Sequence, residues 1–148
     1  MRTADLDDVV RISRSTMLHP WSRNQFAEEL IRPRGKALVA CAGGLCGYVF
    51  FRFIDQEAEL LQLAVKPSRM GQGIGGQLLS TGIKQLASRG VMTCFLEVRK
   101  ENDRARRFYQ RHGFVAIGRR EKYYRLPVDD AIVMKKRRAG DGSDADNT

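Results

Sequence analysis

Apolar positions along this chain follow one period, then another. Leu6, Val9, Val10 and Ile12, with Ser13 beside them, recur three and four apart. They predict the inner side of a helix over 6–17, with Asp5 placed to cap it and Asp8 three positions further on. Residues 1–4 leave room before it for a short strand. His19-Pro20-Trp21 interrupts the pattern. Ser22 and Gln25 then have the Ser-x-x-Gln spacing of a capping box, which opens a second helix to about residue 31, with Phe26 and Leu30 inward and Pro33 and Gly35 ending it.

From residue 36 the apolar residues fall into stretches of strand length. Two of them, 36–42 and 45–54, flank Gly43-Gly44, a hairpin signal, and a third opens at Gln56-Glu57 and runs to Val65. After a glycine cluster, Ile74, Leu78, Leu79, Ile83 and Leu86 return to helical spacing over 74–88. Val91–Val98 is a strand. Asn102 or Asp103 caps a short helix to Arg111, which His112-Gly113 terminates. Phe114–Ile117 starts a strand that continues through Tyr123 and Tyr124, and 130–136 is the last.

The predicted order is helices, an antiparallel meander, then strand–helix–strand–helix–strand. That is a mixed α/β (α+β) fold of one domain over residues 1–138. A strand–helix–strand crossover sets the strands near 63 and 95 parallel and adjacent, with the glycine helix over one face. Their carboxyl ends then share one edge, where ligands of α/β sheets bind. Residues 139–148 are small and polar and are expected to be disordered.

Composition narrows the setting. Of 148 residues 43% are hydrophobic, enough for one globular core. No apolar run approaches the roughly 20 residues of a membrane span, and Asp5, Asp7 and Asp8 break any signal-peptide layout. A cytoplasmic protein with no membrane partner is expected. Cys41, Cys46 and Cys94 have no Cys-x-x-Cys spacing and are expected to be free, buried thiols. His19 and His112 make no metal-ligand spacing, so no metal is expected. The net charge of +9 suits a polyanion: a coenzyme, a nucleic acid or a ribosome-bound substrate. The excess lies mainly in 104–107, 119–122 and 135–138. No basic motif interleaved with aromatics is visible, so no direct nucleic-acid function is expected.

The stretch with most chemistry in it is 60–79. An apolar strand ends at Pro67, and Gly71, Gly73, Gly75 and Gly76 follow just before a helix. Glycines there let backbone N–H groups approach an anion, and the helix dipole adds partial positive charge. A pyrophosphate is the natural occupant. The loop is not a Walker A motif, because Gln77 follows its last glycine where Lys-Ser or Lys-Thr is required. Gly71-x-Gly73-x-x-Gly76 formally matches a dinucleotide fingerprint, with Glu97 at ribose-binding distance in sequence. Against that reading, Lys66–Met70 separate the strand from the glycines, and the motif sits mid-chain. The third candidate is a coenzyme A loop of the pattern Gln/Arg-x-x-Gly-x-Gly/Ala, fitted at Gly73 and Gly75 with Met70 in the Gln/Arg position.

Over residues 2–137 the sequence resembles the GNAT acetyltransferases, and within them most resembles the ribosomal-protein-alanine N-acetyltransferases. The segments carrying the resemblance are His19-Pro-Trp-Ser22, Leu63-Ala-Val65, Gln72-Gly-Ile-Gly75, Leu96-Glu-Val-Arg99, Asn102, Phe108-Tyr109, Gly113-Phe114, Tyr123-Tyr124 and Asp130-Ala-Ile-Val-Met134. The resemblance implies a central, mostly antiparallel sheet in which the strand at 60–65 bulges and splays from the strand at 91–98. It implies acetyl-CoA as co-substrate, its arm lying along Leu63, Ala64 and Val65 and its pyrophosphate on Met70, Gly71, Gln72, Gly73, Ile74, Gly75 and Gly76. Asn102 matches a coenzyme contact, Glu97 the general base and Tyr109 the general acid. Trp21, Tyr123 and Tyr124 are candidates for the acceptor site. The acceptor implied is a protein N-terminus, that of a ribosomal protein first. Two departures stand out: Met70, and a segment 125–129 that is short beside the family's acceptor loop.

The chemistry asks for these residue types in its own right. A protonated amine cannot attack a thioester, so a carboxylate must take its proton, and a tyrosine can donate to the departing thiolate. An unpaired strand N–H beside Leu63–Val65 can serve the oxyanion. Cys94 has no His near it in sequence, so direct transfer is expected rather than an acyl-enzyme. Glu59, and behind it Glu57, are second candidates for the base. Each residue also has a plain structural reading: Glu97 as a solvated strand end, and Tyr109, Trp21 and the paired tyrosines as packing. Three alternatives stay open: acetylation of lysine or a small amine, a non-catalytic basic module on the same scaffold, and a dinucleotide oxidoreductase.

Overall fold

A computed structural model describes residues 1–138; the expected disordered tail at 139–148 lies outside the described residues. The chain forms α1 (Leu6–Thr16), α2 (Arg23–Leu30), β1 (Gly35–Cys41), β2 (Leu45–Ile54), β3 (Glu57–Val65), α3 (Ile74–Ala87), β4 (Thr93–Arg99), α4 (Asp103–Arg111), β5 (Val115–Arg125) and β6 (Val128–Arg137). The six strands make one sheet in the order β1-β2-β3-β4-β6-β5, antiparallel except for the β3–β4 pair.

The helices form where the periodicity puts them. Leu6, Val9, Val10, Ile12 and Ser13 are the buried face of α1. Ser22 Oγ accepts from Gln25 N at 3.1 Å while Gln25 Oε1 accepts from Ser22 N at 2.7 Å, the reciprocal box that starts α2. The N-terminus departs from expectation. No strand precedes α1; residues Thr3–Asp5 form a 3₁₀ turn instead. Asp5 spends its carboxylate on Arg2 N at 2.7 Å and does not cap α1.

Two cores sandwich the sheet. Val49, Phe51, Leu79, Leu86, Leu96, Phe114 and Met134 pack with α3 and α4 on one face. Leu6, Val9, Phe26, Tyr48, Phe50 and Ala64 pack with α1 and α2 on the other. Each large apolar side chain so buried contributes about 1.5–3 kcal/mol. Gly82 is required here, since a Cβ would run into the Phe51 ring.

β3 contributes to both cores and carries a bulge. Phe50 pairs with Gln62 but Phe51 with Leu60, so Leu61 is an extra residue. Before it, Ala58 and Leu60 face the α3 core; after it, Ala64 faces the α1 core and Leu63 the α3 core. Tyr48 Oη donates to Gln62 Oε1 at 2.8 Å beside the bulge, inside the α1 core. Burial pushes the Tyr48 phenol up to about 12, the neighbouring Ser13 hydroxyl pulling it slightly back.

The parallel pairing is short. Glu57, Ala58 and Glu59 pair with Thr93, Cys94 and Phe95, and beyond Glu59 no residue of β3 pairs with β4. The two strands part toward their carboxyl ends and leave a wedge through the sheet.

Candidate active site

On the α3–α4 side of the wedge lies a cleft of about 780 Å³. Of the residues expected to meet a coenzyme, Leu63, Ala64, Val65, Met70, Gly71, Gly73, Ile74, Gly75, Gly76 and Asn102 line it. Gln72 does not: its Oε1 turns away to accept from Arg69 Nε at 3.2 Å. Thr16 and Met17, at the end of α1, also line the cleft, so the wedge is open through the sheet.

The four glycines serve two purposes. Gly71 and Gly73 adopt φ of +79° and +81°, a region that side chains disfavour, and a Cβ on either would meet nothing. The first turn of α3 has no side-chain cap, so its amides face that open space. Gly75 and Gly76 instead admit α4. A Cβ on Gly75 would touch Phe108 at 3.4 Å, and one on Gly76 would strike His112 Nε2 at 2.6 Å.

Several cleft residues gave no motif signal. Arg69 donates to Ala42 O at 3.0 Å, and Arg104 reaches from α4 to Met70 Sδ at 3.5 Å, setting a cation where Met70 lacks polarity. Arg111 and His112 complete that wall. His112 Nδ1 lies 3.0 Å from Phe108 O. Its partial burial, with Lys136 and Arg111 nearby, holds its pKa below the ordinary histidine value. Asn102 Oδ1 is engaged by Ala105 N at 3.1 Å as the cap of α4.

Tyr109 also lines the cleft. It is buried, edge-on to Phe108 and Phe114 at 5.2 and 5.6 Å. Burial, and then the adjacent Cys94, raise its pKa well above the ordinary tyrosine value, so the phenol keeps its proton at neutral pH. Cys94 is likewise pushed up to about 12, chiefly by burial, and is a buried thiol as expected. Cys46 is buried too, but Cys41 is exposed, because the hairpin register turns it outward opposite Leu45.

The other side of the wedge is built from side chains. Cys94, Leu96 and Val98 face the α3 core, so strand alternation turns Glu97 and Arg99 to the α1–α2 face. Glu97 is 21% exposed and accepts from Arg120 Nη1 at 2.8 Å. That contact raises the Arg120 pKa. The Arg120 guanidinium lies 4.0 Å over the Tyr123 ring, and Arg99 lies 4.2 Å over Tyr124. Burial and the charge of Glu97 push the Tyr124 phenol up. Arg99 donates to Pro127 O at 2.8 Å and to Leu126 O at 3.4 Å, and His19 Nε2 also contacts Leu126 O. The short 125–129 turn is thereby tied to β4 and to the α1–α2 connection.

Trp21 packs at 5.1 Å from Phe26 and 6.0 Å from Phe50, as part of the α1 core. Glu59 and Glu57 line a separate hollow of about 660 Å³ at the closed end of the wedge, with Arg34, Arg52 and Phe95. Among the described residues no cluster of three His, Cys, Asp or Glu has the arrangement to hold a metal, and no helix is long and apolar enough to cross a membrane.

A six-stranded mixed sheet with one splayed parallel pair, entered by a glycine turn and a helix N-terminus, is the N-acetyltransferase fold. The sequence pattern described as the Acetyltransferase (GNAT) family matches residues 6–114, and the chain belongs to that family. It is 36% identical over 129 residues to the N-alpha-acetyltransferase RimI of Mycobacterium tuberculosis, covering 84% of this chain and 79% of that one. It is 32% identical over 136 residues to the ribosomal protein bS18-alanine N-acetyltransferase of Escherichia coli, covering 90% and 92%. The crystal structure of the ribosomal-protein-S18-alanine N-acetyltransferase from Escherichia coli superposes with a TM-score of 0.85 over 96% of this chain and 94% of that one.

Proposed function

We propose that the chain transfers an acetyl group from acetyl-CoA directly to a protein N-terminal α-amine, the N-terminal alanine of a ribosomal protein first among them. One observation carries this: the wedge is a glycine-lined cleft on one side and holds a carboxylate, Glu97, on the other. The similarity to alanine N-acetyltransferases over most of the chain points to the same acceptor. The catalytic domain is residues 1–138, acting in the cytoplasm.

The cleft suits acetyl-CoA on its own terms. Open amides at the start of α3, the positive-φ turn at Gly71 and Gly73, and Arg69, Arg104 and Arg111 are a fitting cradle for its phosphates. Leu63–Val65 lie where β3 has left β4, so their main-chain groups on that edge are free for an extended ligand.

An α-amine has a reference pKa near 8, against about 10.4 for lysine, so its deprotonation demands less of a base. Glu97, a partly exposed carboxylate, takes the proton directly or through water. Tyr109, kept protonated by its burial, hydrogen-bonds the departing thiolate from the cleft side. The base and acid act from opposite faces of the sheet, on one amine and one thioester meeting in the gap between two strands.

The test is intact-mass acetylation with acetyl-CoA across peptides beginning with Ala, Ser and Met, the same peptides with blocked N-termini, and free polyamines. Acetylation of free α-amines with Ala preferred is the expected result. Modification of lysines or polyamines instead would move the acceptor to another class while keeping the fold.

A further inference from the structure

Arg120 is the feature of the acceptor side that the reaction as written leaves unused. Its guanidinium meets the candidate base at 2.8 Å, yet it is 54% exposed and stands over the Tyr123 ring, 4.0 Å from its centroid. A guanidinium has five N–H donors in one plane, and one of them meets Glu97. Tyr123, which lies under the guanidinium and also hydrogen-bonds it, holds the group beside Glu97 while leaving further N–H donors unused by either partner. Carboxylate and guanidinium thus stand side by side, one hydrogen bond apart.

That arrangement complements one chemical group closely. A peptide N-terminus carries an ammonium and, two bonds along the chain, a carbonyl carbon with its oxygen. A lysine side chain or a polyamine carries the ammonium with no carbonyl near it. We propose that Arg120 is the residue that selects protein α-amines: the acceptor's ammonium replaces it on Glu97, and the guanidinium then donates to the carbonyl of the acceptor's first residue. This inference rests on Glu97 being the base.

The charges favour the exchange. Before the acceptor arrives, the Arg120 guanidinium occupies the Glu97 carboxylate and holds it in place at the wedge. Once the acceptor is seated, a fixed cation beside its ammonium favours the neutral amine, which is the nucleophile. Tyr124 on β5, whose phenol feels the charge of Glu97, remains in place with Arg99 over it and Tyr123 beside it.

The experiment is a four-way comparison of kcat/KM. Wild type and Arg120→Gln are each assayed on an Ala-starting peptide and on the same peptide with its first carbonyl replaced by a methylene. A hydrogen bond from a charged donor corresponds to roughly 10- to 100-fold. The peptide-to-analogue ratio is therefore expected to fall by at least about tenfold in Arg120→Gln, with acetyl-CoA affinity by calorimetry unchanged. A ratio that stays within about twofold overturns the proposal, whether both acceptors lose equally or neither changes. Should Arg120→Gln fold poorly, Arg120→Lys keeps the charge without the fork, and the same ratio decides. Glu97→Gln is run in parallel. An active Glu97→Gln enzyme sinks the base assignment itself, whereas a dead one beside an unchanged ratio sinks the carbonyl contact alone.

Discussion

The two sides of the wedge are made from different materials. The proposed coenzyme side is mostly main chain: open amides at the head of α3, two glycines held at positive φ and a strand edge released after Glu59. The proposed acceptor side is side chain: Glu97 from β4, Arg120 and Tyr123 from β5, Arg99 from β4 again, and His19 reaching across to Leu126. A main-chain site is written in a few consecutive residues, because it depends on where side chains are missing. A side-chain site is gathered from distant segments, and its members adjoin only once the sheet is built.

If the contrast is sound, changes on the two sides should separate chemistry from coenzyme binding. Glu97→Gln is expected to have the largest effect, a loss of about 10²–10⁴ in kcat with acetyl-CoA affinity intact. Stopped turnover together with lost coenzyme binding would place Glu97 on the wrong side. Tyr109→Phe should follow, lowering kcat by about tenfold or more and leaving acetyl-CoA affinity nearly unchanged. A large loss of affinity at normal turnover would contradict the role of donor.

The glycines sharpen the contrast within the coenzyme side itself. Gly73→Val should raise the acetyl-CoA Kd by more than about tenfold, because a β-branched residue resists φ of +81° and costs about 1–3 kcal/mol there. Its Cβ meets no protein atom, so the loss comes from a distorted turn and not from a filled core. Gly76→Val drives into His112 and should show first as a lowered Tm. Calorimetry and thermal melts together distinguish the two. The smallest effect concerns pH. His112 has its pKa lowered in the fold, so the unfolded chain binds its proton first as pH falls. Its contribution is complete above the ordinary histidine value and declines as pH drops from about 6.5 through the lower folded value. Melts at pH 7 and pH 5 should therefore show a smaller acid loss in His112→Asn than in wild type.

How much of this was legible follows the same division. The helix faces, the Gly43-Gly44 hairpin, the Ser22–Gln25 box and the glycine turn are local patterns, and each stands within a residue or two of its expected place. The bulge at Leu61 is invisible to periodicity, since an extra residue in an apolar run leaves the run apolar; it came with the family resemblance. Arg120 sat unnoticed in a basic run at 119–122, because nothing in the sequence says that β6 lies between it and Glu97 and is narrow enough to span. Asp5 had the right type for a cap and found a closer donor in Arg2. Cys41 had the right type for burial and the wrong register.

The alternation of β3 between the two cores has a consequence for how the molecule holds together. Ala58, Leu60 and Leu63 complete the core beneath α3, while Leu61 and Ala64 complete the core on the other face, around α1. Neither layer is whole without this one strand, so neither can peel away and leave the other standing. Separating the two layers is then expected to be nearly as costly as unfolding the domain. Hydrogen exchange should find the amides of α1 and α3 releasing their protection together, as one cooperative unit.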